Sequence, residues 1–524
     1  MTRRRQPFDR RPVEKAKNLN THAHESHVSH MSQGSHPSGN DCATDHPLAA
    51  VGRRAFLGGA LAAAGQLAFG GGVQAAGKPA RPNIVYVFAD QWRAQATGYA
   101  GAANARTPNL DKLAAQSVNF TNAVSGCPVC CPYRASLVTG QYWHRHGVFL
   151  NDVSLGADAV TIADTLRGAG YDTGYIGKWH LDGRGRLSFT PPERRHGFTF
   201  WRALECTHEY NNSIYFGDEP EPKRWEGYDA IAQTAEAQRY IREHSGGKPF
   251  ALFLSWGPPH NPYETAPQEY RDRIRPEDVV LRPNVSPEHA AAARKDLAGY
   301  YAHIMALDDC VGRLMDTLEG CGIAKDTVFV FTSDHGDMLY SQDQQRKQRP
   351  WDESIRVPFL LRYPAALGDG GRRLACLLNT PDIMPTLLGL SGVPVPASVQ
   401  GRDFSQDLVK GRDPDADAAL LACISPFGEF TRKNGGREYR GIRTRQHTYV
   451  RDLNGPWLLY DNEADPFQQH NLAGGEAHRD LQEELDKRLA QKLEECGDAF
   501  EPGDAYIRRF GHTVDATGTV PIKP

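Results

Sequence analysis

Short, uninterrupted apolar runs recur along the chain, separated by longer stretches with helical spacing. Asn83 to Ala89 is β-branched or aromatic from Ile84 to Phe88, which predicts a strand buried on both faces of a parallel sheet. Tyr171–Ile176, Pro249–Trp256, Thr327–Thr332 and Val357–Leu361 read the same way. Between them, Thr107-Pro108-Asn109 opens a helix running to about Ala115, with Pro in an early position. Asp164–Ala169, Asp229–His244 and Asp382–Leu390 are further helices. The longest helix opens at Ser286-Pro287. Leu297, Tyr300, Ile304, Leu307, Val311, Leu314 and Leu318 form one apolar stripe on it, and Cys321-Gly322 lies near its stop. Asp308-Asp309, beside the stripe, reads as a solvated turn of helix. Strands alternating with helices predict an α/β fold, a large mainly parallel sheet sandwiched by helices, over residues 76–400.

After Gly401 the pattern shortens. Leu420–Ile424, Tyr439–Arg443, His447–Arg451 and Trp457–Tyr460 predict a small antiparallel sheet, and Arg479–Leu493 an amphipathic helix. Residues 401–524 are therefore a smaller C-terminal α+β subdomain. Residues 183–228 hold Arg, Pro, Gly and aromatics without a sustained period and are read as loops building a substrate rim.

Residues 1–52 are polar and His-rich, with too few apolar groups to order them. They read as a disordered leader, or an extension upstream of a start at Met31, rather than a metal-capture tract. Arg53-Arg54-Ala55-Phe56-Leu57, a small-residue apolar run to about Phe69, and Val73-Gln74-Ala75 make 53–75 a twin-arginine export signal. The expected location is periplasmic or secreted. The apolar run is too short and Gly-rich for a stable membrane span.

The chain of 524 residues carries a net charge of −3, so no global field favours nucleic acid. Ten cysteines in this length do not make a disulfide scaffold. Three of them, Cys127, Cys130 and Cys131, crowd into Gly126–Gly140. Cys127-x-x-Cys130 has zinc spacing, but no second Cys/His pair accompanies it, and a redox reading is equally weak. Polar groups also gather at the ends of predicted strands: Asp90-Gln91, Lys178 to His180, His260 and Asp334-His335. Open α/β sheets place ligands there, although each group alone is an ordinary cap or turn residue.

Cys130-x-Pro132-x-Arg134, continued by Ala135-Ser136-Leu137-x-Thr139-Gly140, resembles the signature of the type I, formylglycine-dependent sulfatases of the alkaline phosphatase superfamily. Gly170 to His180 resembles that family's second signature, and the similarity runs from Pro82 to the Leu459-Tyr460-Asp461 and His470-Asn471-Leu472 segments. Only Cys130 has Pro at +2 and Arg at +4. The resemblance implies that a formylglycine-generating enzyme converts Cys130 to formylglycine, whose hydrate is the nucleophile on a sulfate ester. The substrate expected is a sulfated small molecule or, more specifically, a glycan.

By the same resemblance Asp90, Gln91, Asp334 and His335, with Cys130, hold one divalent metal. A mostly oxygen set suits Ca²⁺, and the His nitrogen makes Mn²⁺ the alternative. Arg134 holds the nucleophile, Lys178 and Lys347 grip the sulfate, His180 is the base for elimination, and His260 sits on the leaving-group side as acid. Lys347 rests on its spacing to Trp351–Pro358; the alternative is an exposed lysine in the polar loop Gln342–Arg349. For His260 the alternative is a turn histidine between prolines. His144 and His146 are read as structural or as supports behind the site residues. Gln91 and His335 depart from the family's commoner Asp and Asn, and Tyr133 and Gln141 depart within the first signature. Two rivals stand beside the sulfatase: a phosphonate monoester or phosphodiester hydrolase, the branch that Gln91 and His335 resemble, and a sulfoglycan-binding protein with an unmodified Cys130. Selectivity is expected in residues 183–228, around Glu205 to Tyr215, and in the C-terminal subdomain.

Overall fold

The computed structural model describes residues 81–522. The leader and the twin-arginine segment lie outside the described residues. The strands are β1 Asn83–Asp90, β2 Val118–Val124, β3 Asp172–Lys178, β4 Phe200–Leu204, β5 Ile214–Tyr215, β6 Lys223–Arg224 and β7 Phe250–Pro259. They continue with β8 Thr327–Ser333, β9 Phe359–Arg362, β10 Arg372–Asn379, β11 Ala418–Cys423, β12 Tyr439–Thr444, β13 His447–Asp452 and β14 Gly455–Asp461.

Eight strands form the main sheet in the order β10-β2-β9-β8-β1-β7-β3-β4. All neighbours are parallel except β9, which runs antiparallel to both β2 and β8. β1 sits near the centre, and its side chains alternate between two apolar layers. Ile84, Tyr86 and Phe88 enter one; Val85, Val87 and Ala89 enter the other. Burial on both faces explains why the central strands read as continuous apolar runs. The helix Asp229–His244 and the long helix Ala290–Gly320 pack on one face. The helices Cys130–Thr139 and Thr380–Leu390 pack on the other.

Several elements were not expected. β2 and β10 carry polar residues amid apolar ones, and β4 lies inside the stretch read as loops. The helix Cys130–Thr139 is buried on all sides, so it shows no amphipathic period. Asp308 is not solvated: it is 1% exposed. It accepts from the backbone N–H of Asn109 (3.1 Å) and Leu110 (2.8 Å), capping the helix Pro108–Ala114 from outside.

The C-terminal strands form an antiparallel meander, β11-β12-β13-β14. Leu485, Leu489 and Leu493 of the helix Arg479–Cys496 are buried in the same apolar layer as the main-sheet core. This sheet is fastened to the cysteine-rich loop: Ala422 donates its N–H to the Gly126 carbonyl at 2.7 Å. Among the described residues no helix is long and apolar enough to cross a membrane.

Candidate active site

Four parallel strands deliver their C-terminal ends to one place. β1 ends at Asp90 with Gln91 next, β3 ends at Lys178 with His180 two residues on, β7 leads into His260, and β8 leads into Asp334-His335. Cys130 faces them as the first residue of the helix Cys130–Thr139. A helix N-terminus favours a negative charge on such a thiol. All of the predicted site residues converge here, Lys347 included. That lysine is 5% exposed, so the exposed-loop alternative is set aside. Gln348 and Arg349 beside it are buried as well, with polar partners such as Phe427 O, which accepts from Gln348 Nε2 at 2.9 Å.

The Cys130 sulfur lies 3.3 Å from His335 Nε2, 3.4 Å from Lys347 Nζ and 3.5 Å from Lys178 Nζ. Burial and the Asp90 charge push its thiol upward, but Lys178, Lys347 and His335 outweigh them and hold it well below its ordinary value. Arg134, one turn along the helix, is the hub beneath. Its guanidinium donates to Lys178 O (2.6 Å), Ser255 Oγ (2.7 Å), Asp334 Oδ2 (3.2 Å) and Asp90 Oδ2 (3.3 Å).

Asp90, Cys130, Asp334 and His335 offer ligand atoms that all lie within 4.8 Å of one another. Every one is buried. Burial and the Asp90 charge push Asp334 up to about 6, whereas Lys178 and Lys347 overcome burial and hold Asp90 well down. His335 Nδ1 is 2.9 Å from Gly336 O and donates there, which fixes the ring with Nε2 facing the carboxylates of Asp90 and Asp334. Gln91, the residue after Asp90, turns its amide oxygen to Lys347 Nζ at 3.2 Å, and that ammonium is 3.4 Å from the Cys130 sulfur. Two carboxylates competing for a few cations, with an imidazole nitrogen aimed between them, fit a divalent metal.

His260 Nε2 is 2.7 Å from Lys347 Nζ, and His260 Nδ1 is 2.8 Å from Asn261 O. Burial and Lys347 hold this imidazole well below its ordinary value. It is therefore neutral, with its proton on Nδ1, and it accepts from the lysine. On the other side, His180 Nε2 meets Asp152 Oδ1 at 3.1 Å, and the Arg186 fork clamps Asp152 at 2.8 and 2.7 Å. Burial opposes charging His180, but the Cys131 and Cys206 sulfurs and Asp152 raise it well above its ordinary value. Its Nδ1 is buried without a partner.

A cavity of about 180 Å³ opens over Cys130, bounded by Lys178, His180, His260 and Lys347. Cys206 and His208 from the stretch after β4 form one wall, and His208 stacks on His260 with ring centroids 4.6 Å apart. Phe427, Glu429 and Thr519 form the wall from the C-terminal region. A larger cavity of about 250 Å³ beside Arg282, Arg356 and Arg373 shares no residue with it and holds none of this cluster.

Sequence reasoning missed Asp152, and it gave no role to Arg186, Glu205 and Cys206, which lie in the stretch 183–228 expected to set selectivity. Glu205, pushed up by burial to about 7, accepts from the N–H of Asp182 (2.9 Å) and Gly183 (3.0 Å) and so holds the loop after His180. These residues act through contacts between distant segments and carry no local pattern. Cys131 gains a place: its sulfur accepts from Asp152 N–H at 3.4 Å. His146 and His144 are structural as expected, bonded to Ser136 Oγ (3.0 Å) and Cys496 O (2.6 Å).

A buried nucleophile at a helix start, flanked by fixed cations and a divalent-metal donor group at the ends of parallel strands, defines a hydrolase of the alkaline phosphatase superfamily. The chain belongs to the sulfatase family: the model of that family matches residues 82–393. The model of the N-sulphoglucosamine sulphohydrolase C-terminal region matches residues 345–495. An ulvan-active sulfatase of Formosa agariphila is 46% identical over 443 residues, 83% of this chain and 85% of that one. An endo-4-O-sulfatase of Bacteroides thetaiotaomicron is 32% identical, covering 82% and 94%. The crystal structure of yidJ from Bacteroides fragilis, a provisionally assigned sulfatase, superposes with a TM-score of 0.73 at 31% identity, covering 83% of this chain and all of that one.

Proposed function

We propose that this chain hydrolyses a sulfate ester on a carbohydrate, using a formylglycine derived from Cys130 and one divalent metal, Ca²⁺ ahead of Mn²⁺. The observation that carries the reading is the setting of Cys130: one buried sulfur within 3.5 Å of two lysine ammonium groups, itself part of a four-residue donor group with Asp90, Asp334 and His335, under a cavity. A sulfate ester is an anion that repels nucleophiles, so fixed positive donors are the first requirement of the site. The relative named as ulvan-active and the match to the N-sulphoglucosamine sulphohydrolase C-terminal model support a sugar substrate. The motif at 53–75 supports export before the enzyme meets it.

Asp90, Gln91, Asp334 and His335 would hold the metal, which polarises a sulfate oxygen and favours deprotonation of the nucleophile. The aldehyde hydrate at Cys130 supplies two hydroxyls, so that the second can release the bound sulfate by elimination. Lys178 and Lys347 bind the sulfate oxygens. Lys347, with its hydrogen bond to His260, supplies the proton to the departing alcohol. His180 exchanges a proton at Nδ1, and Asp152 holds its Nε2.

Gln91 and His335 keep a second reading in view, phosphonate or phosphodiester hydrolysis. Turnover of nitrophenyl sulfate and of a bis-nitrophenyl phosphodiester, measured on protein made with a formylglycine-generating enzyme, decides between them. The sulfatase reading expects a higher kcat/KM on the sulfate; a dominant phosphodiesterase activity overturns it. Binding of sulfated glycan without turnover of either ester would instead support the sulfoglycan-binding reading.

A further inference from the structure

Asp337 has no part in the chemistry described so far, yet it is fully buried two residues beyond His335. Among the described residues no ion pair neutralises it. Its Oδ2 accepts from Gln91 Nε2 at 2.7 Å and from the Tyr263 hydroxyl, and its Oδ1 accepts from the N–H of Arg346 (3.0 Å) and Leu339 (3.1 Å). A carboxylate offers about four acceptor positions, and four donors fill them here. We propose that Asp337 is a positioning residue that fixes which end of the Gln91 side chain faces the metal donor group.

The argument rests on the asymmetry of an amide. The two ends of the Gln91 amide have nearly the same shape, but one only donates and the other only accepts. An ionised carboxylate only accepts. With the present orientation Nε2 gives a charge-assisted hydrogen bond to Asp337, and Oε1 receives the Lys347 ammonium at 3.2 Å. Turning the amide over would set two oxygens 2.7 Å apart at Asp337 and two donors against each other at Lys347. Both ends therefore select the same orientation. The base of the side chain is held as well: Gln91 has a left-handed backbone (φ 72°) and donates its N–H to Asp334 Oδ1 at 3.0 Å. The consequence is a carbonyl oxygen, never an amino group, at the end of the side chain beside Lys347 and Cys130. Asp337 thus makes a neutral glutamine into a dependable oxygen ligand.

This inference rests on the metal site proposed above, and titration calorimetry of the full-length protein with Ca²⁺ and with Mn²⁺ separates the two. If the parent protein binds neither ion, the metal reading fails. If it binds one, Asp337→Asn is expected to weaken that binding about 10- to 100-fold, because the new amide can donate to Gln91 and turn it. The discriminating step is a double variant. Gln91→Glu alone sets two carboxylates together and is expected to weaken binding. In the Asp337→Asn background the same change is expected to restore it to within about threefold of the parent, since Glu accepts from the asparagine and keeps an oxygen for the metal. Parent-like binding by Asp337→Asn, or Gln91→Glu acting with the same sign in both backgrounds, overturns the proposal. Should Asp337→Asn not fold, the double variant must still bind more tightly than Gln91→Glu alone.

Discussion

Lys347 offers the sharpest single test of the site, because the sequence alone left it between a sulfate-gripping cation and a loop lysine. Consider Lys347→Met, which keeps the length of the side chain and removes the charge. The ammonium sits 3.4 Å from the Cys130 sulfur. For an anion at that position the gross attraction is about 5 kcal/mol at an effective dielectric of about 20. Lys178, 3.5 Å from the same sulfur, retains part of the field. The net loss should fall near that for removing one preorganised donor, about 3–4 kcal/mol, or a fall of about 10²–10³ in kcat/KM. Stability should move little. Asp90 keeps Lys178 at 2.6 Å and Arg134 at 3.3 Å, so urea denaturation should shift by no more than about 1–2 kcal/mol. Lys347 also helps burial to hold His260 down, so its removal should move the acid limb of the pH profile towards neutrality. The assay is steady-state turnover of nitrophenyl sulfate across pH beside the denaturation curve. A kcat/KM within threefold of the parent at unchanged stability would refute the role given to this lysine.

Two further outcomes follow from geometry alone. Asp152→Asn, which spoils the partner of His180 Nε2, should lower kcat by about 10²–10⁴ and leave KM nearly unchanged; a loss confined to KM would contradict the proton-exchange role. Arg440 and Asp498 form a fully buried pair joined by Tyr506, and Arg440→Met should cost about 3–5 kcal/mol in urea denaturation by stranding Asp498. Burial pushes Asp498 upward, but Arg440 outweighs it and holds the carboxyl at about 2, below its ordinary 3.8. That shift contributes about 2 kcal/mol, present above the ordinary value and lost as pH falls through about 2. The parent and the variant should therefore converge in acid, and a gap independent of pH would count against the pair.

Much of the fold could be read from the chain because the central strands are buried on both faces. β1, β7 and β8 have no solvent side, so their apolar runs are unbroken. β2 and β10 escaped notice for the converse reason: Asn119, Thr121 and Asn122, and Arg372 and Arg373, interrupt them towards the edge of the sheet. β4 was lost among arginines and aromatics that pack around Trp201. Asp308 shows the limit of pattern reading, since a carboxylate beside an apolar stripe is buried when another helix needs a cap. The candidate site was legible where chemistry and spacing coincide, at Cys130 and Arg134 and at the strand ends. Asp152 and Asp337 were not, because each works by holding a residue that lies far away in sequence, His180 and Gln91 respectively.

The most direct test of the whole account is the mass of the Cys130 peptide, read beside sulfate ester turnover of the same preparation. Protein made with a formylglycine-generating enzyme should show a loss of about 18 Da at Cys130, the change from thiol to aldehyde. Turnover of nitrophenyl sulfate should rise in proportion to the converted fraction. Full turnover from a preparation in which Cys130 remains an intact thiol, or complete conversion without turnover of any sulfate ester, would contradict it.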